Sequence, residues 1–199
     1  MHVRTADLSP DTWPDFEALF GDHKGVRGGC WCTWFRCSAG TYDASTREQR
    51  KGVHRRLVHD GDGHGLLLYD ADDAAGPGAT PIAWCQYGPP EAFPRFERMR
   101  AYRALQLPEG ERPDWRIACL FVHKRRRREG LAKVALRATL QRIAERGGGR
   151  IEAFPLDLDH AGQPPYSGSV AMYRREGFEP VARLGKNTLL MRREVAGGR

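Results

Sequence analysis

The feature that most constrains this chain is an apolar segment followed by a basic turn and a long helical pattern. Residues 117–122 form an unbroken apolar run, which is typical of a strand covered on both faces. Five basic residues follow at 124–128, and from Gly130 to Arg146 small and aliphatic side chains recur at helical spacing. A strand, a turn and a helix in this order, with further strands on either side, predict a mixed α/β sheet.

The turn between this strand and this helix has the chemistry of a phosphate-binding site. The start of a helix presents unpaired backbone N–H groups and the positive end of the helix dipole, so it attracts anions. Gly130 has no side chain to keep a ligand away from the backbone, and Ala132 is small. Arg127 and Arg128 add positive charge beside the same groups. The sequence therefore predicts that a phosphate-bearing molecule binds here.

The basic run has two other interpretations, a solvated turn and a nucleic-acid patch. The formal net charge of +7 attracts polyanions in general, and therefore does not separate them. Aromatic side chains that interleave with basic residues at many single-stranded nucleic-acid sites are missing near residues 124–128. We therefore expect a phosphate-rich small molecule rather than a nucleic-acid partner.

Hydrophobic periodicity and turn residues predict the other elements. Thr46 and Gln49 have the spacing of a capping box at the start of the second helix. Residues 91–113 are polar and contain three prolines, so we expect a helical excursion and a loop there. An Asp/Gly/Pro turn is expected after residue 69, and a loop over 157–166. The remaining predicted elements are helices after Pro10 and over 45–59 and 167–176, and strands over 65–69, 81–87, 150–156, 179–183 and 188–193.

Two motifs in the second half of the chain resemble the GNAT superfamily of acyl-CoA N-acyltransferases. The family signature is Arg/Gln-x-x-Gly-x-Gly/Ala after a strand that ends in valine, and residues 127–132 match it shortly after the strand that ends at Val122. The second motif is a helix with a small residue and a tyrosine that stops at Gly-Phe, here Gly177 and Phe178. The resemblance extends from Trp115 to the C-terminus, with weaker agreement before it.

The resemblance implies both a fold and an activity. The fold would be a GNAT-like mixed, mostly antiparallel sheet with a splayed central strand pair flanked by helices. Residues 1–199 would form a single N-acetyltransferase domain with 91–113 as an insertion or excursion. The activity would be direct transfer of the acetyl group from the co-substrate acetyl-CoA to an amine, either a small molecule or a protein N-terminus. A catalytically inactive acyl-CoA sensor is the alternative.

The resemblance also assigns residues to acetyl-CoA. The backbone of the central strand's end would bond the pantetheine arm, and the amides of the following turn would hold the pyrophosphate. A polar residue at the start of the later helix would lie near the pantetheine. Relatives often carry asparagine at the position of Tyr166. The implied cofactor-binding residues are Phe121, Val122, Arg127, Arg128, Glu129, Gly130, Leu131, Ala132 and Ser169.

Two residues are candidates for proton transfer. Tyr173 lies where many relatives have the acid that protonates the departing thiolate, and a pKa of about 10 keeps a tyrosine protonated at neutral pH. Its alternative is a core aromatic residue. Relatives often place a general base on the central strand, but residues 117–122 contain no carboxylate. Glu152, on the next predicted strand, is our candidate base, and its alternative is a structural partner of a nearby arginine.

Aromatic residues in two segments that the family places beside the thioester predict the acceptor site. With one glutamine among them, the candidates are Trp31, Trp34, Trp84, Gln86 and Tyr87. Aromatic walls suit a bulky apolar or cationic amine. The alternative for Trp31 and Trp34, together with Phe35, is a small hydrophobic core. If Trp31, Trp34 and Trp84 all point into the core, residues 91–113 become the better acceptor candidates.

Five cysteines, at positions 30, 32, 37, 85 and 119, argue against a disulfide framework because their number is odd. Cys30, Cys32 and Cys37 lack the spacing of a structural zinc site, so we expect no metal. No secretory signal and no apolar run of membrane-spanning length are visible, so we expect a cytoplasmic protein without a membrane partner. The acceptor and the oligomeric state, a homodimer included, stay open.

Overall fold

The computed structural model describes residues 3–71, 80–157 and 166–198, and their strands form one seven-stranded sheet. The Asp/Gly/Pro turn and the loop predicted over 157–166 lie largely outside these residues. The strands are β1 (Val3–Asp7), β2 (Leu66–Asp70), β3 (Ala83–Gly88), β4 (Trp115–Val122), β5 (Gly148–Ala153), β6 (Glu179–Arg183) and β7 (Leu189–Ala196). The helices are α1 (Trp13–Gly21), α2 (Ala39–Asp43), α3 (Arg47–His59), α4 (Pro94–Arg98), α5 (Arg100–Arg103), α6 (Leu131–Glu145) and α7 (Val170–Arg175).

The sheet is mixed and mostly antiparallel, as predicted. Its strand order is β1-β2-β3-β4-β5-β7-β6. β4 and β5 are parallel, and every other neighbouring pair is antiparallel. The parallel pair arises because α6 connects β4 to β5 and returns the chain to the same end of the sheet.

The central strands β4 and β5 pair over only a short length. Their register runs from Trp115 opposite Ile151 to Ile117 opposite Ala153. β4 continues to Val122, whereas β5 ends at Ala153. A gap therefore opens beside the second half of β4, which confirms the splayed central pair.

α6 covers one face of the sheet. The helix buries one stripe against β3, β4 and β5, and its side chains belong to the largest core cluster. Each large aliphatic side chain buried in this way contributes about 1.5–3 kcal/mol to the free energy of unfolding. The buried aliphatic residues of this stripe are Leu131, Ala135, Leu136, Leu140 and Ile143. They hold the start of α6 at a fixed place beside the gap.

Aromatic clusters cover the other face. Phe16 and Phe20 of α1 pack with Trp31 and Trp84 in one cluster, in which Phe16 and Phe20 stack with their ring centroids 4.1 Å apart. A second cluster contains Phe96 of α4, whose ring stacks on Phe154 at 3.7 Å. Segment 91–113 thus contributes three buried side chains, Phe93, Phe96 and Tyr102, to the core that covers the sheet.

Several boundaries differ from the sequence predictions. β1 and α2 were not predicted. β5 begins at Gly148, whereas the glycine run was predicted only to end the preceding helix. Gly148 and Gly149 have positive φ angles and pair with Ala196 and Val195 of β7. The predicted capping box of Thr46 and Gln49 is present at the start of α3. No helix among the described residues is long and apolar enough to cross a membrane.

Candidate active site

The turn between β4 and α6 is shaped as an open backbone cradle. Gly130 precedes the helix with a φ of 77°, and a Cβ placed on it would have no atom within 4 Å. No side chain caps the start of α6, so its first N–H groups are left for another acceptor. Arg128 adopts a φ of 71°, which is unusual for a residue with a side chain. The local geometry fits an anion bound at the helix start.

A cavity of about 380 Å³ lies between this turn, the end of β4 and the start of α7. Seven of the nine residues predicted to bind the cofactor line it. These are Phe121, Val122, Arg127, Arg128, Gly130, Leu131 and Ala132. The lining residues that the sequence did not indicate are Leu120, Arg126, Lys133, Tyr166, Gly168 and Met172. We call this space the turn cavity.

The other two predicted cofactor residues have different roles. Glu129 forms an ion pair with Arg126, with Nε and Oε2 2.8 Å apart, and Arg126 also pairs with Asp70. Ser169 caps α7 by accepting a hydrogen bond from the Met172 N–H at 3.3 Å. Neither Glu129 nor Ser169 lines the turn cavity, because both side chains are engaged by their own local structure.

On the edge of β4 that faces the gap, alternate residues turn their backbone groups away from β3. The N–H of Leu120 donates to the carbonyl of Tyr166 at 2.5 Å, so the backbone of Leu120 faces the gap. Val122 lies two residues further on and faces the same side. The backbone of Phe121 therefore faces β3, which corrects its predicted contact with pantetheine. A strand-like ligand beside β4 would replace the contact from Tyr166.

Tyr173 is fully buried in the core cluster below the turn, and its hydroxyl has no hydrogen-bond partner among the described residues. Its ring packs edge-on against Phe178 at 5.0 Å. Burial raises the pKa of Tyr173 well above its ordinary value, and the nearby thiols of Cys85 and Cys119 raise it further. The side chain is thus a protonated donor with no acceptor, an arrangement that needs an explanation in a folded protein.

A second cavity of about 500 Å³ lies on the aromatic face, and Tyr166 lines both cavities. We call it the aromatic cavity. It is enclosed by the loop after α1, by α2 and α4, and by β3, β4 and the segment after β5. Its described lining residues are Phe20, Val26, Arg27, Cys30, Cys32, Trp34, Phe35, Tyr42, Gln86, Arg95, Phe96, Met99, Ala118, Cys119, Phe154, Leu156, Tyr166, Ser167 and Thr188.

Only two of the five residues predicted to bind the acceptor, Trp34 and Gln86, line this cavity. Trp31 and Trp84 are 5% and 0% exposed, and both pack in the aromatic core against α1. Tyr87 lies in the core cluster on the opposite face of the sheet, where its hydroxyl donates to Asp7 at 3.2 Å. These three side chains are therefore packed in the core and do not line the aromatic cavity.

Segment 91–113 supplies three lining residues instead. Arg95, Phe96 and Met99 reach the aromatic cavity from α4 and the residue after it. Phe96 also stacks on Phe35 at 4.3 Å, which joins this segment to the first loop. The short apolar spacing of Phe93, Phe96 and Met99 was the only sign of this contact in the sequence.

The position of Glu152 corrects its prediction as a general base. Its Oε2 accepts hydrogen bonds from Tyr102 at 2.8 Å and from Arg116 at 3.3 Å, and its Oε1 accepts from Arg192 at 2.9 Å. The carboxylate is 0% exposed, and it lines neither of the two cavities. Two guanidinium groups and a tyrosine hydroxyl occupy both oxygens of this buried carboxylate, which is the structural partnership with arginine that the alternative described.

All five cysteines are free thiols. Cys30, Cys32 and Cys119 line the aromatic cavity, and burial raises the pKa of Cys30 and of Cys32. The indole N–H of Trp84 donates to the Cys32 sulfur at 3.1 Å. Among the described residues, no group of three or more His, Cys, Asp and Glu side chains is arranged to hold a metal ion.

The family model that matches the chain is that of the acetyltransferase (GNAT) family, over residues 31–178. The match runs from the loop after α1 to the residues just before β6, and it includes most of the lining of both cavities. The chain belongs to the acetyltransferase (GNAT) family. No curated protein sequence matches it.

Solved structures with the same fold include several acetyltransferases. A mosquito arylalkylamine N-acetyltransferase like 5b has a TM-score of 0.58 and 9% identity, covering 98% of this chain and 100% of the other. Phosphinothricin acetyltransferase from Sinorhizobium meliloti, in complex with AcCoA, has a TM-score of 0.53 and 14% identity, covering 98% and 90%. An acetyltransferase from Thermus thermophilus has a TM-score of 0.51 and 17% identity, covering 98% of each chain. At these identities the likeness concerns the fold alone.

Proposed function

We propose that this GNAT protein is an acetyl-CoA-dependent N-acetyltransferase that acts on a small-molecule amine. The observation that carries the proposal is the pair of adjoining cavities that share Tyr166. One has the open cradle of Gly130 and three arginines, and suits a phosphate-rich ligand. The other is enclosed and aromatic, and suits an organic acceptor. A two-substrate transfer needs such neighbouring sites.

The residues of the turn cavity fit acetyl-CoA. Backbone amides at the start of α6, with Arg127 and Arg128, would hold the pyrophosphate. The gap-facing backbone of Leu120 and Val122 would pair with the pantetheine arm. Acetyl-CoA supplies the acetyl group as a thioester, which amines attack without a metal. The five free cysteines favour a reducing compartment, so we keep the cytoplasm as the expected location.

The transfer needs one proton to leave the amine and one to reach the sulfur. The amine nitrogen bonds to the acetyl carbon, and the carbon–sulfur bond breaks. Tyr173 lines neither cavity, but it lies directly behind Gly168 of the turn cavity, where an added Cβ would come within 2.9 Å of the Tyr173 ring. We assign the protonation of the departing thiolate to its buried, unpartnered O–H. No described carboxylate lines either cavity, so we assign the amine proton to water. A neutral amine is then the reacting form, and kcat/KM should rise with pH until the amine is deprotonated.

Binding of acetyl-CoA tests the first half of the proposal. A ligand that binds only the folded state raises the melting temperature, and at a concentration of 100 times Kd it adds about 2.7 kcal/mol to the free energy of unfolding. Gly130→Glu should abolish this shift, because it puts a side chain and a negative charge into the cradle. Gly61→Glu is the matched control, since Gly61 has a φ of 85° and open space around it but lies outside both cavities.

The outcomes are distinct. We expect Gly61→Glu to keep the full shift despite the same backbone strain and the same added charge. A normal shift in Gly130→Glu would remove the cradle assignment. Acetyl-CoA binding without thiol release on a broad amine panel would support the acyl-CoA sensor instead.

A further inference from the structure

The charged side chains that line the aromatic cavity are all positive among the described residues. Two arginines, Arg27 and Arg95, are among its described lining residues, and no described aspartate or glutamate is. Neither guanidinium forms an ion pair with a described carboxylate; each instead lies over an aromatic ring. Unpaired arginines beside an apolar cavity are a common arrangement for binding a carboxylate or another anion.

Three lining residues, Trp34, Tyr42 and Arg95, belong to a stack of arginine and aromatic side chains that Arg50 completes outside the lining. The guanidinium of Arg95 lies 3.5 Å from the ring centroid of Trp34, Trp34 packs edge-on against Tyr42 at 4.8 Å, and Arg50 lies 3.8 Å from the Tyr42 ring. One face of the Trp34 ring and one face of the Tyr42 ring are therefore already covered by a guanidinium. A stacked guanidinium still presents N–H groups at its edge, where they suit a planar anion.

Gln86 adds an uncharged acceptor at the same cavity. Its side chain is 1% exposed, and its amide nitrogen donates to the Cys32 carbonyl at 2.8 Å. A carbonyl only accepts, so this bond fixes the orientation of the amide and leaves Oε1 as the free end. Oε1 has no hydrogen-bond partner within the described part of the chain. A buried acceptor without a partner is costly unless a ligand supplies the donor, and an amine N–H is such a donor.

We propose that the acceptor is a small amine that carries both an anionic group and an apolar body. Arg95, with Arg27 at the rim, pairs with the anion. Gln86 Oε1 accepts a hydrogen bond from the amine, and the phenylalanine rings of the cavity pack on the body between them. The chemical class is that of a free amino acid with a large apolar side chain. This inference rests on the proposed function and adds its substrate class.

Matched acceptors that differ only in the anion provide the test. Phenylalanine, phenylalanine amide and phenethylamine share one apolar body and one primary amine, and only the first is anionic at its carboxyl position. With acetyl-CoA saturating, thiol release should show a kcat/KM for phenylalanine about tenfold or more above that for the other two, as one charge-assisted pair provides. Rates are compared at equal concentrations of the neutral amine, because the three amines differ in pKa.

Two variants separate the anion contact from the amine contact. The double variant Arg27→Met/Arg95→Met keeps both apolar stems and removes both charges, so it should lower kcat/KM for phenylalanine to the level of the two uncharged analogues. Gln86→Met should lower kcat/KM for all three acceptors alike. Arg103→Met is the matched control, because Arg103 is an exposed arginine of α5 outside the cavity. It should leave the preference intact.

The two proposals fail in different ways. Equal kcat/KM for phenylalanine and its amide, or a preference that persists in Arg27→Met/Arg95→Met, would overturn the anion site and leave N-acetylation standing. A peptide N-terminus that exceeds phenylalanine would also overturn it, in favour of a protein substrate. If no thiol is released, the anion site is tested instead by measuring whether phenylalanine binds to the protein in the presence of CoA. Binding that is lost in Arg27→Met/Arg95→Met would support the site without the reaction, and no binding would overturn it.

Discussion

At the scale of single residues, the feature of Tyr173 that matters is its buried hydroxyl, which has no hydrogen-bond partner among the described residues. A buried hydroxyl without a partner costs about 1–3 kcal/mol, because it loses water and gains no hydrogen bond in return. Tyr173 is such a case, while Tyr69 is equally buried and donates to Asp15 at 2.7 Å. The contrast shows that the hydroxyl of Tyr173 adds no hydrogen bond to the folded state, which supports the proposal that it serves the reaction.

Removing the Tyr173 hydroxyl should separate stability from catalysis. We expect Tyr173→Phe to unfold at the same or a higher urea concentration than the parent protein, because no hydrogen bond is lost. Its kcat should fall by roughly tenfold to a thousandfold, as for loss of a general acid, with little change in acetyl-CoA affinity. Tyr69→Phe should do the opposite, losing about 1 kcal/mol of stability and keeping its kcat.

The pH dependence follows from the direction of the pKa shift. Burial raises the pKa of Tyr173, so the proton needed for catalysis stays on the oxygen at higher pH than on an ordinary tyrosine. We therefore expect kcat not to fall between about pH 8 and the usual tyrosine pKa of about 10. A fall in this range that disappears in Tyr173→Phe would contradict the assignment, and so would an unchanged kcat in that variant when chemistry limits turnover.

At the scale of elements, the connection from β4 to α6 combines rigidity with local strain. The stripe of α6 is buried on the sheet, yet Arg128 enters the turn in a left-handed conformation. That conformation costs a residue with a side chain about 1–2 kcal/mol relative to glycine. The arginine side chain is exposed and makes no hydrogen bond within the described structure, so no contact of this side chain offsets the backbone strain. We propose that binding of a phosphate accounts for an arginine at this place.

Two substitutions at Arg128 distinguish strain from charge. Both Arg128→Gly and Arg128→Ala remove the guanidinium, and only glycine relieves the backbone. We expect Arg128→Gly to be more stable than Arg128→Ala by about 1 kcal/mol in urea unfolding. Titration calorimetry should show both variants binding acetyl-CoA more weakly, and to a similar extent. Equal stabilities would mean that the turn is not strained, and unchanged affinities would place the phosphates elsewhere.

At the scale of the whole molecule, the aromatic core encloses a histidine that must stay neutral. His54 of α3 is 0% exposed, donates its Nδ1 hydrogen to the Trp31 carbonyl at 2.8 Å, and leaves Nε2 without a partner among the described residues. Burial lowers its pKa well below 6.5, and the charge of Arg36 lowers it further. Burial also lowers the pKa of His23 and of His64. The core that covers the sheet is thus sensitive to acid.

Stability should therefore fall as the pH drops below about 6.5, the usual histidine pKa. Above this pH the histidines are neutral in both states. Below it the unfolded chain binds protons that the folded chain excludes, and each such proton costs about 1.4 kcal/mol per pH unit. Urea unfolding between about pH 7.5 and 5 should show this slope. His54→Asn keeps a donor for Trp31 and should be less stable at neutral pH but less dependent on pH. An unaltered slope would assign the effect to other groups.

The predictable part of this protein lies in segments whose neighbours along the chain determine their structure. The apolar run of β4, the periodicity of α6 and the turn at Gly130 are local patterns, so the strand–turn–helix order of this unit and its glycine turn followed from the sequence. Capping of α3 by Thr46 was predictable for the same reason. The central pair of strands was expected to splay because the motifs resembled a family with that sheet.

The contents of the second site depended on tertiary structure. Trp31, Trp34 and Trp84 are alike in sequence, yet only Trp34 reaches the cavity, because the packing of α1 on the sheet buries the other two. The alternation of side chains along β5 placed Glu152 on one face of the strand, as the sequence suggested. Arg116 and Arg192, from distant parts of the chain, donate hydrogen bonds to its two oxygens, and only the folded structure shows this. The position of Arg95 in the cavity likewise follows from the packing of α4 on the first loop. Local pattern determines which face of an element is apolar, and only the assembled fold determines which neighbour that face meets.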